Sequence, residues 1–407
     1  MTDAGRDPAA VTVPAQGVEP PPPPAEPVPA RRATNWGNLA RSAGRQLVVP
    51  LLAVFTAVLI GGLIIILSDP ELFADPVAAA GRAVAAYAAL VEGSLGSPNA
   101  ISETLLQATP LIFAALAVAL GFRSGLFNIG AEGQLYLGAA FAIYVGFALT
   151  GLPTVIHLPL ALIAGVLGGA LWGFIPGLLK ARTGAHEVIT TIMLNYIAYR
   201  LIDWLLNQPF FQREGRSDQI SKIVEPSAML PRLLEGLRVH WGLVLALAAA
   251  AFVSWLLFRS TKGFEFRAVG LNPSAARYAG INISWTVILT MMISGGLAGL
   301  AGATVMLGST HTLTPGFSPG WGFDAIALAL LGGSRPLGVI FASLLFGALR
   351  AGATPMQLNT DIPIDLVVIV QALVIMFIAA PMLVQAIYRI RIDRRVSAET
   401  FSKGWGA

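Results

Sequence analysis

The chain has 407 residues, of which 55% are hydrophobic and 12% charged, with a formal net charge of +4. This is far more apolar than a soluble protein, and the charge excess is too small to suggest nucleic acid as a partner. The absence of cysteine excludes disulfides, thiolate metal sites and thiol catalysis.

Residues 1–45, including QGVEPPPPPAEPVPA, are rich in Pro and Ala. They cannot bury a core and are expected to form a disordered cytoplasmic tail. Arg31 and Arg32 suggest an export signal, but the apolar run begins only near Gln46 and continues to 68, which reads as a retained membrane helix. Residues 69–100 hold an Ala-rich piece bracketed by Arg82 and Glu92. That piece is too short to span and is expected to be an external or interfacial helix.

Further runs long enough to cross about 30 Å of hydrocarbon lie at 103–121, 155–179, 188–207, 241–258, 285–308 and 364–388. Less regular ones lie at 125–149, 321–333 and 336–352. The expected fold is an all-α polytopic membrane protein of about ten transmembrane helices, with pseudo-symmetric halves and both termini cytoplasmic. Its transmembrane domain covers 46–388 and a basic cytoplasmic tail covers 389–407. The positive-inside rule supports this orientation. Arg123, Lys180, Arg182, Arg259, Lys262 and Arg335 fall inside, while the short outer loops near 150–154, 309–320 and 353–363 carry no Lys or Arg. The exception is 208–240, with Arg213, Arg216, Lys222, Arg232 and Arg238 on the outer side.

Helices in lipid associate through close backbone approach. Gly165, Gly169, Gly173 and Gly177 recur every four residues and form a smooth packing ridge. Gly295, Gly299 and Gly302 repeat the device more weakly.

Polar groups inside such helices normally face a cavity or a partner. In GFRSGLFNIGAEGQLYLGAAFA, Asn128, Glu132 and Gln134 interrupt apolar sequence. Glu187, Thr191 and Asn195 form an i, i+4, i+8 stripe, and Asp324 opens a later span. These seven residues are candidates for a translocation path or its hinge. The four histidines show no metal-ligand spacing, and neither a metal nor a cofactor is expected.

The loop 259–284 contains NPSAARYAG, which reads as a complete short helix. Asn272 caps it, Pro273 suits its first position, Ala275, Ala276, Arg277 and Tyr278 form it, and Gly280 ends it. So short a helix needs something to dock against, and its small side chains suit a soluble protein better than headgroups.

The stretches ATPLIFAALAVALGFRSGLFNIGAEGQLYLGA, HLPLALIAGVLGGALWGFIPGLLKARTGAHEVITTIMLNYIA, RAVGLNPSAARYAGI and GWGFDAIALALLGGSRPLG carry a resemblance to a known family. The chain resembles the permease subunits of ABC importers of the branched-chain amino acid and ribose class. Within that class it is most similar to bacterial nucleoside-uptake permeases served by lipoprotein receptors of the basic-membrane-protein type. The resemblance implies a multi-pass protein of the bacterial plasma (inner) membrane and no enzyme activity of its own. It further implies a cytoplasmic ABC ATPase coupled through 259–284, a second permease subunit and an external solute-binding lipoprotein. The chain has no phosphate-loop motif, which agrees with ATP hydrolysis in a partner. A pentose or a branched-chain amino acid is the alternative substrate. An ion-coupled secondary transporter is the alternative mechanism, and a membrane enzyme ranks last.

Overall fold

The computed structural model describes residues 36–68 and 75–389. The chain divides into Met1–Gln46, of which the described part is helical, and Leu47–Ala407. The expected tails, including Arg31 and Arg32, lie largely outside the described residues.

Fourteen α-helices follow in chain order among the described residues. They are α1 Trp36–Leu67, α2 Pro76–Leu95, α3 Pro98–Arg123, α4 Ala131–Ala148, α5 Thr154–Thr183, α6 Glu187–Leu206 and α7 Gly242–Arg259. Then come α8 Thr261–Leu271, α9 Pro273–Tyr278, α10 Ile283–Val305, α11 Trp321–Leu331, α12 Pro336–Thr360, α13 Asp365–Ala379 and α14 Pro381–Ile387. A single π-helical turn, Met306–Thr310, extends α10.

Every expected span falls on a helix, and the helices differ in whether their length and apolarity suffice for a crossing. Among the described residues five helices are long and apolar enough to cross a membrane: Pro98–Arg123, Thr154–Thr183, Gly242–Arg259, Ile283–Thr310 and Pro336–Thr360. The pair Asp365–Ile378 and Met382–Tyr388, bent by 86°, makes a sixth if taken together. The expected span at 321–333 is instead α11, with 11 residues. At 1.5 Å per residue it rises about 16 Å, half the hydrocarbon thickness. The expected span at 125–149 starts only at Ala131, because the backbone from Ser124 to Gly130 is not helical.

The Ala-rich segment is a true helix, α2, and it packs on its neighbours. Ala79, Ala83, Ala86 and Ala89 make a buried small-residue face. The Tyr87 hydroxyl donates to Val58 O at 2.7 Å, and a Cβ on Gly352 of α12 would overlap the Leu90 carbonyl.

The glycine ridge of α5 lies on α10. A Cβ on Gly169 would overlap the Gly295 carbonyl oxygen, and one on Gly173 would overlap that of Met291. Gly165 faces Ala303, and Gly177 faces Met291 and Ile288. On its other side, α10 brings Gly299 against Gly138 and Gly302 against Leu135 of α4. Three helices therefore meet with almost no side chain between them, which maximises dispersion contact in lipid.

Residues 207–241 fold into a layer against the C-terminal ends of α4 and α10, and several of their basic residues pair with acids. Glu225 N–H donates to Gly146 O at 2.8 Å, Val224 N–H to His311 O at 3.1 Å and Leu230 N–H to Leu307 O at 2.8 Å. Arg216 pairs with Asp218 at 2.7 Å, Lys222 with Glu214 at 3.6 Å and Arg238 with Glu103 at 2.9 Å. His240 is buried at the root of this layer. Its Nδ1 accepts from Gly242 N–H at 3.0 Å, and a Cβ on Gly308 would collide with its ring. Burial, with His311 as a lesser cause, pushes the His240 imidazole down to about 4.

Candidate functional site: a cavity where two helices begin

The break after α3 is held open by side chains from elsewhere. Gly125 takes a φ of +70°, which favours glycine, and turns the chain back into the bundle. Asn128 is fully buried. Its Oδ1 accepts from Gly130 N–H at 3.0 Å, while its Nδ2 donates to Gln134 Oε1 and to Ser294 Oγ, each at 2.8 Å. Gln134 Nε2 donates back to Asn128 Oδ1 at 3.2 Å.

The polar stripe of α6 docks on the same break. Asn195 Oδ1 accepts from Gly133 N–H at 2.8 Å, and its Nδ2 donates to Ile129 O at 3.0 Å. Glu187 accepts from Phe127 N–H at 3.4 Å and from Lys180 Nζ. Thr191 packs on Gly130 and donates to Glu187 O at 2.6 Å. Asn128, Gln134, Glu187, Thr191 and Asn195 thus converge on one joint, where their hydrogen-bonding groups are directed at backbone, at one another, and at Ser294 and Lys180.

Glu132 stands apart from these five. It lies in the first turn of α4 and its residue is only 1% exposed. Its Oε2 accepts from Gly322 N–H, the second residue of α11, at 2.6 Å. The Ser318 hydroxyl oxygen accepts from Gly320 N–H and Trp321 N–H, both at 3.2 Å. A Cβ on Gly322 would overlap the backbone of Glu132. The N-termini of α4 and α11 therefore touch inside the bundle, and both have amides capped by side chains.

Glu132 also forms part of the wall of a cavity of about 430 Å³, with Tyr136, Tyr196, Tyr199, Arg200, Asp203, Gly316, Ser318 and Gly320. The Tyr136 ring lies 4.9 Å from Tyr199 and 4.6 Å from Phe317. Arg200, whose side chain is 86% exposed, pairs with Asp203 at 3.2 Å. An aromatic wall with a few convergent polar groups is the usual make-up of a small-molecule site. A second cavity of about 550 Å³, lined in part by Glu92, Glu103, Arg238 and Arg350, has no aromatic residue in its lining. Asp324 does not reach the first cavity. It pairs with Arg350 of α12.

Sequence reasoning missed Tyr136, Tyr199, Ser294 and Arg350. The first two were within its reach. Tyr136 follows Glu132, and Tyr199 follows Asn195, by one helical turn.

On the opposite side of the joint, the loop 259–284 holds two helices, α8 and α9. Asn272 Oδ1 accepts from Ala275 N–H at 3.0 Å, Pro273 opens α9, and Gly280 has a φ of +83°. Ala276 is buried and Tyr278 is 97% exposed. Arg277 O accepts from Gly280 N–H at 3.0 Å. The end of α8 lies on the joint: a Cβ on Gly125 would stand 2.9 Å from Gly270 Cα. Arg123 ties in the turn after α11, donating to Ser334 O and Gly333 O at 3.0 Å each.

Residues 100–379 match the family model described as branched-chain amino acid transport system / permease component. The guanosine ABC transporter permease protein NupP of Bacillus subtilis (strain 168) is 42% identical over 82% of this chain and 93% of its own length. The nucleoside ABC transporter permease protein NupB of Lactococcus lactis subsp. cremoris (strain MG1363) is 35% identical over 88% of this chain and 98% of its own. The glucose ABC transporter permease protein TsgB13 of Haloferax volcanii is also 35% identical, over 85% and 90%. No solved structure matches the chain.

Proposed function

This chain belongs to the family of branched-chain amino acid transport system permease components, and from that membership we propose that it is the membrane-spanning permease subunit of an ATP-driven nucleoside importer in the bacterial plasma (inner) membrane. The observation that carries the reading is the cavity at Glu132. A buried carboxyl group and tyrosines lining a cavity inside a membrane bundle are what a path for a polar solute requires. A nucleoside suits both parts of the wall: its base offers a planar face to the rings, and its sugar and base offer donors to the carboxylate. The two nucleoside-named relatives support the same substrate.

In this reading Asn128, Gln134, Glu187, Thr191 and Asn195 hold the joint, and Glu132 faces the solute. The helix α9 presents Arg277 and the exposed Tyr278 to a cytoplasmic ATPase. A second permease subunit shares the pathway, and a solute-binding lipoprotein delivers to the outer layer at 207–241.

The test has two parts. Affinity purification of the chain from its native membrane is expected to recover an ATPase and a solute-binding lipoprotein. Deletion of the chain is expected to abolish uptake of labelled guanosine. Recovery of the chain alone, in a form that transports without ATP, would overturn the importer reading. The glucose-permease relative favours a sugar as second substrate, and uptake of labelled glucose in place of guanosine would establish it.

A further inference from the structure

We propose that Glu132 is a charge filter, which reserves the cavity for uncharged solutes bearing hydrogen-bond donors and turns away their phosphorylated forms. The inference rests on the importer reading given above.

Converging helix N-termini attract anions, because unpaired backbone N–H groups and aligned peptide dipoles both point there. In this protein the place is already filled by a side-chain carboxyl group of its own. The Glu132 carboxylate, almost fully buried, takes the Gly322 amide at 2.6 Å. The Ser318 hydroxyl takes those of Gly320 and Trp321. The amides that a phosphate would use are therefore engaged by the protein's own oxygens.

A phosphate entering the cavity would also meet the carboxylate at short range in a medium of low polarity, where like charges repel strongly. The nearby cations offer little relief. Arg200 is held by Asp203 at the mouth, and Arg350 by Asp324 on a different face of α11. A neutral solute with N–H or O–H donors meets the reverse situation. A carboxylate has about four lone-pair sites, and the Gly322 amide and the Ser318 hydroxyl use two of them. Tyr136 and Tyr199 supply the rings against which a planar base can stack.

The experiment measures binding of tritiated guanosine to the purified importer complex in lipid nanodiscs, without its receptor. Unlabelled guanosine or guanosine 5′-monophosphate serves as competitor. The wild-type complex is expected to release the label to guanosine and not to the monophosphate. In Glu132→Gln, guanosine affinity should fall about 10- to 100-fold, the loss expected for a hydrogen bond to a charged group. The affinity of the monophosphate relative to guanosine should rise at least about 10-fold, while Glu132→Asp, which keeps the charge, should still exclude it. An unchanged ratio in an assembled Glu132→Gln complex would overturn the proposal.

Should that variant fail to assemble, Tyr199→Lys places a cation on the same wall and must raise the same ratio, and an unchanged value there also overturns the filter. A complex that imports guanosine into vesicles yet binds none without the receptor would overturn the filter and leave the importer standing. Failure to import any nucleoside would remove the importer reading first, and the filter with it.

Discussion

The seam between α5 and α10 and the joint between α3 and α4 are both built on glycine, yet they use it for opposite purposes. At the seam, glycine removes a side chain so that Gly169 and Gly173 can rest on the backbone at Gly295 and Met291. At the joint, Gly125 supplies a φ of +70°, and the contacts are hydrogen bonds made by Asn128, Gln134 and Asn195. The seam is apolar and has no alternative pairing. Hydrogen bonds at the joint can exchange partners. If the chain works as the proposed importer, the seam is the frame and the joint the place where the bundle bends.

Substitutions can break this comparison, and the largest effect belongs to the seam. Gly169→Leu should cost more than about 3 kcal/mol and abolish assembly, because the new side chain meets backbone that no rotamer change can move aside. Gel filtration and thermal unfolding in detergent would show it. A well-assembled variant would mean that the seam is looser than its geometry.

The turn that extends the C-terminal end of α10 gives a pH test of the same idea, since Gly308 there makes room for the His240 ring. The folded imidazole sits near 4, below its ordinary value of about 6.5. The unfolded chain therefore binds the proton first as pH falls. His240 contributes about 3 kcal/mol of stability above pH 6.5, lost progressively between about 6.5 and 4. His240→Gln should flatten the pH dependence of the thermal midpoint across that window.

At the joint, Asn128→Ala leaves its hydrogen-bond partners unpaired and should cost about 2 kcal/mol. Uptake should fall more than the amount of assembled complex does. Equal falls would make Asn128 part of the rigid frame. Smaller again, Asn272→Ala removes the cap of α9, worth about 1 kcal/mol. It should reduce uptake per ATP hydrolysed with no loss of assembly. Arg216→Ala, in an exposed pair of the 207–241 layer, should leave the thermal midpoint unchanged.

What could be read in advance follows the range of the interactions. The short helix at 273–278 was legible because Asn272, Pro273 and Gly280 act within a few residues of one another. The α5 ridge was legible because its four glycines keep a strict helical register, although nothing in that register says that α10 is the partner. The half-length of α11 was not legible. WGFDAIALALL is as apolar as a crossing helix, and its start is set by Glu132, which is 190 positions earlier. The break before α4 depends on Asn195, 62 positions away, and Ser294, 166 away. The cavity emerged only when α4 and α6 brought Tyr136 and Tyr199 together.

A last consequence follows from the place where Gly125 meets Gly270. A Cβ on Gly270 would lie 2.6 Å from Arg123 O and 2.7 Å from Gly125 N, so main chain bears directly on main chain. Side chains between two parts act as springs, changing rotamer and absorbing a displacement before it arrives. This contact has no such slack. In the proposed importer a displacement of α8 would bear directly on the joint, to which Arg123 also ties the turn after α11 through Gly333 and Ser334.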